Sequence, residues 1–104
     1  MAATPLTGQL NPSATTATKL FTADGNSWAH VVAANRSVTD TTIRISKRIA
    51  GAGADDKQFI AYDLPLPGND VYATPKIALA DTDEVWVYTA DATVSFSLEG
   101  IKIA

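Results

Sequence analysis

Asp83 to Ala104 reads DEVWVYTADATVSFSLEGIKIA, and the interpretation of this stretch decides the fold. Val85 and Val87 fall on one side of an extended chain, with Trp86 and Tyr88 on the other. After the turn Ala90-Asp91-Ala92, residues Val94, Phe96 and Leu98 alternate with Thr93, Ser95, Ser97 and Glu99. Period two marks a half-buried strand. At Gly100 the alternation slips by one, and Ile101 and Ile103 take over as apolar positions. That slip predicts a β-bulge, and glycine tolerates one. The stretch therefore predicts a closing hairpin at the centre of a sheet. Trp86 and Tyr88 leave both sides of the first strand apolar, which predicts a contact surface on one of them. At least one of Trp86, Tyr88, Ile101 and Ile103 is expected outside the core.

Outward from this hairpin the chain is a series of short extended segments. Pro65-Leu66-Pro67-Gly68-Asn69-Asp70 predicts a connection, because proline removes ladder donors. It leads to a strand at Val71–Thr74, an interruption at Pro75 and a strand at Ile77–Leu79. Pro75 marks an edge, a bulge or a crossing between sheets. Lys57–Leu64 is another strand, with no clear apolar face. Before it, residues 50–56 (AGAGADD) predict a loop tip. Asp40–Ile49 predicts an amphipathic strand with Ile43, Ile45 and Ile49 on one side and Arg44, Ser46 and Arg48 on the other. Ser27–Asn35 (SWAHVVAAN) is apolar or small on both sides and predicts a strand buried on both faces. Thr16–Ala23 predicts a strand that ends in the turn Asp24-Gly25-Asn26. Residues 1–15 predict an extended N-terminal arm, with Leu6 and Leu10 as its large apolar residues and an edge strand between them as the alternative. The expected fold is all-β: an antiparallel, jelly-roll-like β-sandwich of about eight short strands over residues 16–104, preceded by the arm.

Length and composition agree. A chain of 104 residues is one domain with a folded surface of about 5,600 Å2, enough for a core without staples. There is no cysteine, so disulfides and thiolate metal sites are excluded. The 13 threonines suit strands, and the 18 alanines suit places where backbones approach closely. No stretch is long and apolar enough to span a membrane, and residues 1–20 lack the pattern of a signal peptide. Synthesis and folding in the cytosol are expected. Net charge is −3, with +2 over residues 36–57 and −5 over residues 58–104. This acidic balance argues against nucleic acid as a partner, and the aromatics Trp28, Phe59, Tyr62 and Tyr72 read as core rather than as base-stacking platforms. No amphipathic helix is present for a membrane surface.

The residues specify no chemistry of catalysis. His30 is the one histidine, with Trp28 beside it on the same strand face, and no nucleophile motif accompanies it. A structural or interface histidine is expected. Asp81, Asp83 and Glu84 cluster, with Asp91 beyond them, but a calcium-loop signature is absent and turn chemistry accounts for them. Gly51-Ala52-Gly53 lacks the Lys-Ser/Thr of a phosphate loop. No enzyme, cofactor or metal is expected.

Four features in order carry a resemblance: Asn35-Arg36 at the end of a strand, the connection Ala61 to Asp70 (AYDLPLPGND), the segment Leu79 to Tyr88 (LADTDEVWVY) and the closing Val94 to Ala104. Over most of residues 9–104 the chain resembles small virion structural proteins of tailed bacteriophages. Its turn Ala23 to Ser27 departs slightly from the usual pattern. The resemblance implies a non-enzymatic virion component, multi-copy and β-sandwich, assembled in the host cytoplasm. A capsid decoration or cement protein is the leading expectation. Its partners would be the major capsid protein or other virion proteins, together with its own copies as a dimer or trimer. A tail, neck or fibre component is the alternative, and a carbohydrate- or receptor-binding module is the next. The contact residues expected are Leu6, Leu10, Arg44, Arg48, Trp86, Tyr88, Ile101 and Ile103.

Overall fold

The computed structural model describes residues 4–103, so the first three residues of the expected arm and Ala104 lie outside the described residues. Among the described residues nine strands form in chain order: β1 (Thr4–Leu10), β2 (Thr18–Thr22), β3 (Ser27–Asn35), β4 (Thr41–Arg48), β5 (Phe59–Leu66), β6 (Val71–Ala73), β7 (Ile77–Leu79), β8 (Glu84–Thr89) and β9 (Val94–Lys102). They make two antiparallel sheets. The first runs β1-β9-β3-β6, with β7 also on β3, and the second runs β2-β8-β4-β5. The accessible surface is 5575 Å2, close to the value that size alone sets. Among the described residues no helix is long and apolar enough to cross a membrane.

The expected closing hairpin is not one. β8 and β9 belong to different sheets, and the four residues between them carry the chain across the sandwich. Both sides of each strand are already paired: β8 with β2 and β4, β9 with β1 and β3. The crossing itself is bonded to other elements. Ala90 N–H donates to Thr42 O at 3.0 Å, and Thr93 O accepts from Arg36 N–H at 2.8 Å. Val85 and Val87 thus meet Val94, Phe96 and Leu98 across the sandwich rather than along one sheet, and all five are buried.

The bulge expected at Gly100 is also absent. β9 keeps one register with β3 from Asn35↔Val94 to Ser27↔Lys102. The apolar residues change side while the ladder does not, so Gly100 stays on the core side and Ile101 faces outward opposite Trp28. Glycine is required there by close approach. A Cβ at Gly100 would lie 2.0 Å from Trp28 O and 2.7 Å from Ala29 Cα. The bulges fall instead on the edge strands. β2 shifts register between Lys19 and Phe21, and β5 shifts twice against β4.

Further expectations change. Pro65 and Leu66 continue β5, which pairs Pro65 with Thr42 and buries Leu66; an edge strand leaves one flank without ladder partners, so it accommodates proline. Within the described part of the arm, Thr4–Leu10 takes the edge-strand alternative and extends it, in register with β9 along the whole strand, with Leu6 opposite Gly100 and Leu10 opposite Phe96. Ile49 leaves the apolar stripe of β4, because the chain turns into a short 3-10 segment and exposes it by 66%. β3 buries Ala29, Val31 and Ala33 completely but leaves its other side only half-buried. Pro75 sits where β6 gives way to β7 along the same flank of β3, which is the edge position among the three alternatives.

Candidate functional site

Alternation along two neighbouring strands builds a surface on the back of the second sheet. In β4 the core takes Ile43 and Ile45, which sends Arg44, Ser46 and Arg48 outward. In β8 it takes Val85, Val87 and Thr89, which sends Glu84, Trp86 and Tyr88 outward. The register sets Arg44 opposite Tyr88, Ser46 opposite Trp86 and Arg48 opposite Glu84. Residues directly opposite or diagonal in an antiparallel pair are within reach of long side chains.

Two arginine–aromatic stacks result. The Arg44 guanidinium lies between Tyr62 and Tyr88, 4.4 Å from each ring centre. Its Nε donates to Asp63 Oδ1 at 2.6 Å and its Nη2 to Oδ2 at 3.3 Å. That bidentate bond, and then the carboxylate charge, hold the Arg44 pKa above its ordinary range against the burial that lowers it. Asp63 stands at φ 48, at one of the two register shifts of β5, and the bulge aims its carboxylate back over the sheet. The second stack is Arg48 on Trp86, at 3.8 Å. Trp86 Nε1 donates to Glu84 Oε1 at 2.9 Å, and Glu84 Oε2 lies 3.6 Å from Lys19 Nζ. The indole hydrogen bond is the main cause that lowers the Glu84 pKa, with Lys19 adding to it and burial opposing. Each stack contributes about 0.5–2 kcal/mol, according to how far it is desolvated. Ser46 faces outward yet is buried, because the neighbouring side chains cover it.

Arg48 differs from Arg44 in having no carboxylate. It forms no ion pair within 4 Å among the described residues, and its buried Nε–H has no acceptor. An unmet buried donor costs about 1–3 kcal/mol. Beside it is a groove of about 170 Å3, bounded by Ser46, Arg48 and Trp86 on the sheet and by Ala54, Gln58 and Phe59 from the 49–59 segment. The far wall is held in place. Asp55 caps the short 3-10 segment Asp56–Gln58, accepting from Lys57 N–H at 3.2 Å, while Gln58 returns bonds to Asp55 N–H and Gly53 O.

The structure thus brings together Arg44, Arg48, Trp86 and Tyr88. It does not bring the other expected contact residues to them. Leu6 and Leu10 are partly buried against the core. Ile101 is half-buried on the back of the first sheet, opposite Trp28, and Ile103 is 54% exposed beyond the end of β9. Tyr62 and Asp63 complete the Arg44 stack, yet Tyr62 read as core; it is 57% exposed. Their signal was the alternation of Tyr62 with buried Ala61, obscured by two bulges that break period two.

The other candidates are occupied structurally. His30 Nδ1 is 3.0 Å from Thr74 O, and Thr74 Oγ1 accepts Val31 N–H at 2.9 Å, so the pair closes the gap at Pro75. Trp28 lies edge-on to His30, with Lys76 Nζ 4.5 Å from its ring centre. Asp83 is buried and accepts from Ala50 N–H and Ala80 N–H at 3.0 and 2.9 Å, with Lys47 at 3.8 Å, so it fastens the turn before β8. Asp91 accepts from the Thr41 hydroxyl at 2.7 Å. Among the described residues no three His, Cys, Asp or Glu side chains converge as a metal site would require. The Asn35 of the resemblance is a buried hub. Its Nδ2 donates to Thr39 O, Leu66 O and Pro67 O, and its Oδ1 accepts from Ser37 N–H and Thr93 O–H. Comparison with protein-family models, with curated proteins and with solved structures finds no match to this chain.

Proposed function

We propose that this protein is a non-enzymatic virion component of a tailed bacteriophage, most simply a capsid decoration or cement protein, that docks through the outer face of the β2-β8-β4-β5 sheet. The observation that carries the docking is the composition of that face. Trp86, Tyr88, Tyr62, Arg44 and Arg48 stand stacked outside the core, and tryptophan, tyrosine and arginine are the residues that dominate binding energy at protein interfaces. The virion assignment rests on the resemblance of the motifs. The topology supports it by analogy of fold alone. With β6 and β7 taken as one strand broken at Pro75, the first sheet runs first, eighth, third, sixth, and the second runs second, seventh, fourth, fifth. We read that order as jelly-roll-like, an architecture used by viral capsid domains among others.

A docked copy on a repeating shell needs little affinity of its own, since symmetry supplies many equivalent sites. A sugar-binding role for Trp86 is less well supported, because Arg48 already covers its ring face. The test is co-sedimentation with purified shells and, separately, with tails of the phage that encodes the chain. Trp86→Ala is expected to weaken binding about tenfold or more, and Trp28→Ala on the opposite face to leave it unchanged. The reverse pattern would reject this face. Binding to tails alone would move the assignment from capsid to tail. Binding to neither, with glycan-dependent quenching of tryptophan fluorescence, would replace it by the binding module.

A further inference from the structure

Resting on that docking face, we propose that its partner presents a carboxylate, an Asp or Glu side chain, to Arg48 in the groove between Trp86 and the 54–59 wall. The charges of the face point to one negative group. Arg44 is matched by Asp63, and Lys19 by Glu84. Glu84 stands opposite Arg48 in the register and its carboxylate feels the Arg48 charge, but its two oxygens are directed to Trp86 and Lys19 and make no ion pair with the guanidinium within 4 Å. Arg48 lines the groove without an ion pair within 4 Å among the described residues and is held in position on the indole ring; its Nε–H is buried, so a partner meets the terminal nitrogens of the guanidinium. A planar guanidinium held in place by stacking favours a carboxylate, which it grips with two parallel N–H bonds.

Size and net charge narrow the occupant further. A groove of about 170 Å3 takes one or two side chains rather than a strand of nucleic acid. The chain as a whole is acidic, with net charge −3, so repulsion grows with the charge of the occupant and disfavours a polyanion far more than a single carboxylate. The floor and walls are already ordered, by the Gln58 bonds to Asp55 and Gly53 and by the buried Ser46 beneath. A side chain entering there meets a site that needs little rearrangement.

The probe is a pair of short peptides, acetyl-Gly-Gly-Glu-Gly-Gly-amide and its Gln counterpart. Each is titrated to millimolar concentration against the 15N-labelled full chain by NMR. The Glu peptide is expected to shift the Arg48 Nε–H and Trp86 Nε1–H signals, leave Trp28 Nε1–H in place and lose effect as salt rises. The Gln peptide is expected to do nothing. Arg48→Gln should reduce the response at Trp86 at least tenfold, and Arg48→Lys, which keeps the charge without the planar fork, several-fold. Equal shifts from both peptides, no shifts, or a response that survives Arg48→Gln would overturn the proposal. Shell binding measured alongside separates the two levels. Shells bound without any response to the Glu peptide leave the docking face standing and remove the carboxylate. A carboxylate response in a chain that ignores both shells and tails keeps the site and removes the virion assignment.

Discussion

β8 and β9 are neighbours in the chain and nearly opposite in character. Both alternate, both lie at the centre of a sheet, and each buries one face against the other across the sandwich. The difference is on their backs. β9 turns Ser95, Ser97, Glu99 and Ile101 outward, beside Ala34, Val32, His30 and Trp28 of β3. β8 turns Glu84, Trp86 and Tyr88 outward, beside Arg48, Ser46 and Arg44 of β4. Two strands with the same inward task therefore carry different outward surfaces: β9 mostly small and polar, with Ile101 beside Trp28 at one end, and β8 large and aromatic beside two arginines. The inward pattern sets the fold, and the outward residues are free to set a contact.

The largest effect expected is on the β9 side. Gly100→Ala places a methyl group against Trp28 O and Ala29 and is expected to cost about 3 kcal/mol or more, or to prevent folding, in denaturant unfolding. A cost near zero would mean that β3 and β9 do not approach as described. Next is the turn that launches β8. Asp83→Ala leaves Ala50 N–H and Ala80 N–H without their acceptor and is expected to cost about 3 kcal/mol. An unchanged unfolding midpoint would show the buried carboxylate to be dispensable. Leu6→Ala tests whether the N-terminal segment is part of β9's sheet. As a half-buried edge residue it is expected to cost about 1 kcal/mol, and a free arm would cost nothing.

The smallest effect is the pH dependence on the β8 side. The Glu84 carboxylate is held below the usual glutamate range in the folded chain. Its contribution is present above the unfolded-state pKa and is lost as pH falls through the lower folded value. Glu84→Gln is expected to flatten that part of the stability profile below pH 4.5, read as the urea midpoint at successive pH values. An unchanged profile would remove the Trp86–Glu84–Lys19 arrangement.

The same two strands show how much the sequence discloses. The faces of β8 and β9 were legible, because period two is a property of each strand by itself. Their pairing was not. A hairpin and a crossing between sheets show the same alternation, and Ala90-Asp91-Ala92-Thr93 lacks the Asn-Gly signal that marks a tight hairpin turn. What decides is that β1, β2, β3 and β4 occupy both flanks of the two strands, and those partners lie far away in sequence. Gly100 misled for a related reason: the change of apolar side resembles a bulge, whereas it reflects the close approach of Trp28 and Ala29. In the candidate site, Arg44, Arg48, Trp86 and Tyr88 were each legible as outward residues of β4 and β8. Tyr62 and Asp63 were not, since the bulges of β5 hide which way its side chains point.

On the proposed role as a virion component, the contrast between the two backs is tested most directly by a reconstruction of the assembled particle, at a resolution that places individual strands. The expected result is a copy seated with Trp86, Tyr88, Arg44 and Arg48 against a neighbouring protein and with Trp28, His30 and Ile101 open to solvent. A copy seated through the β9–β3 back, or a particle without the chain, would contradict it.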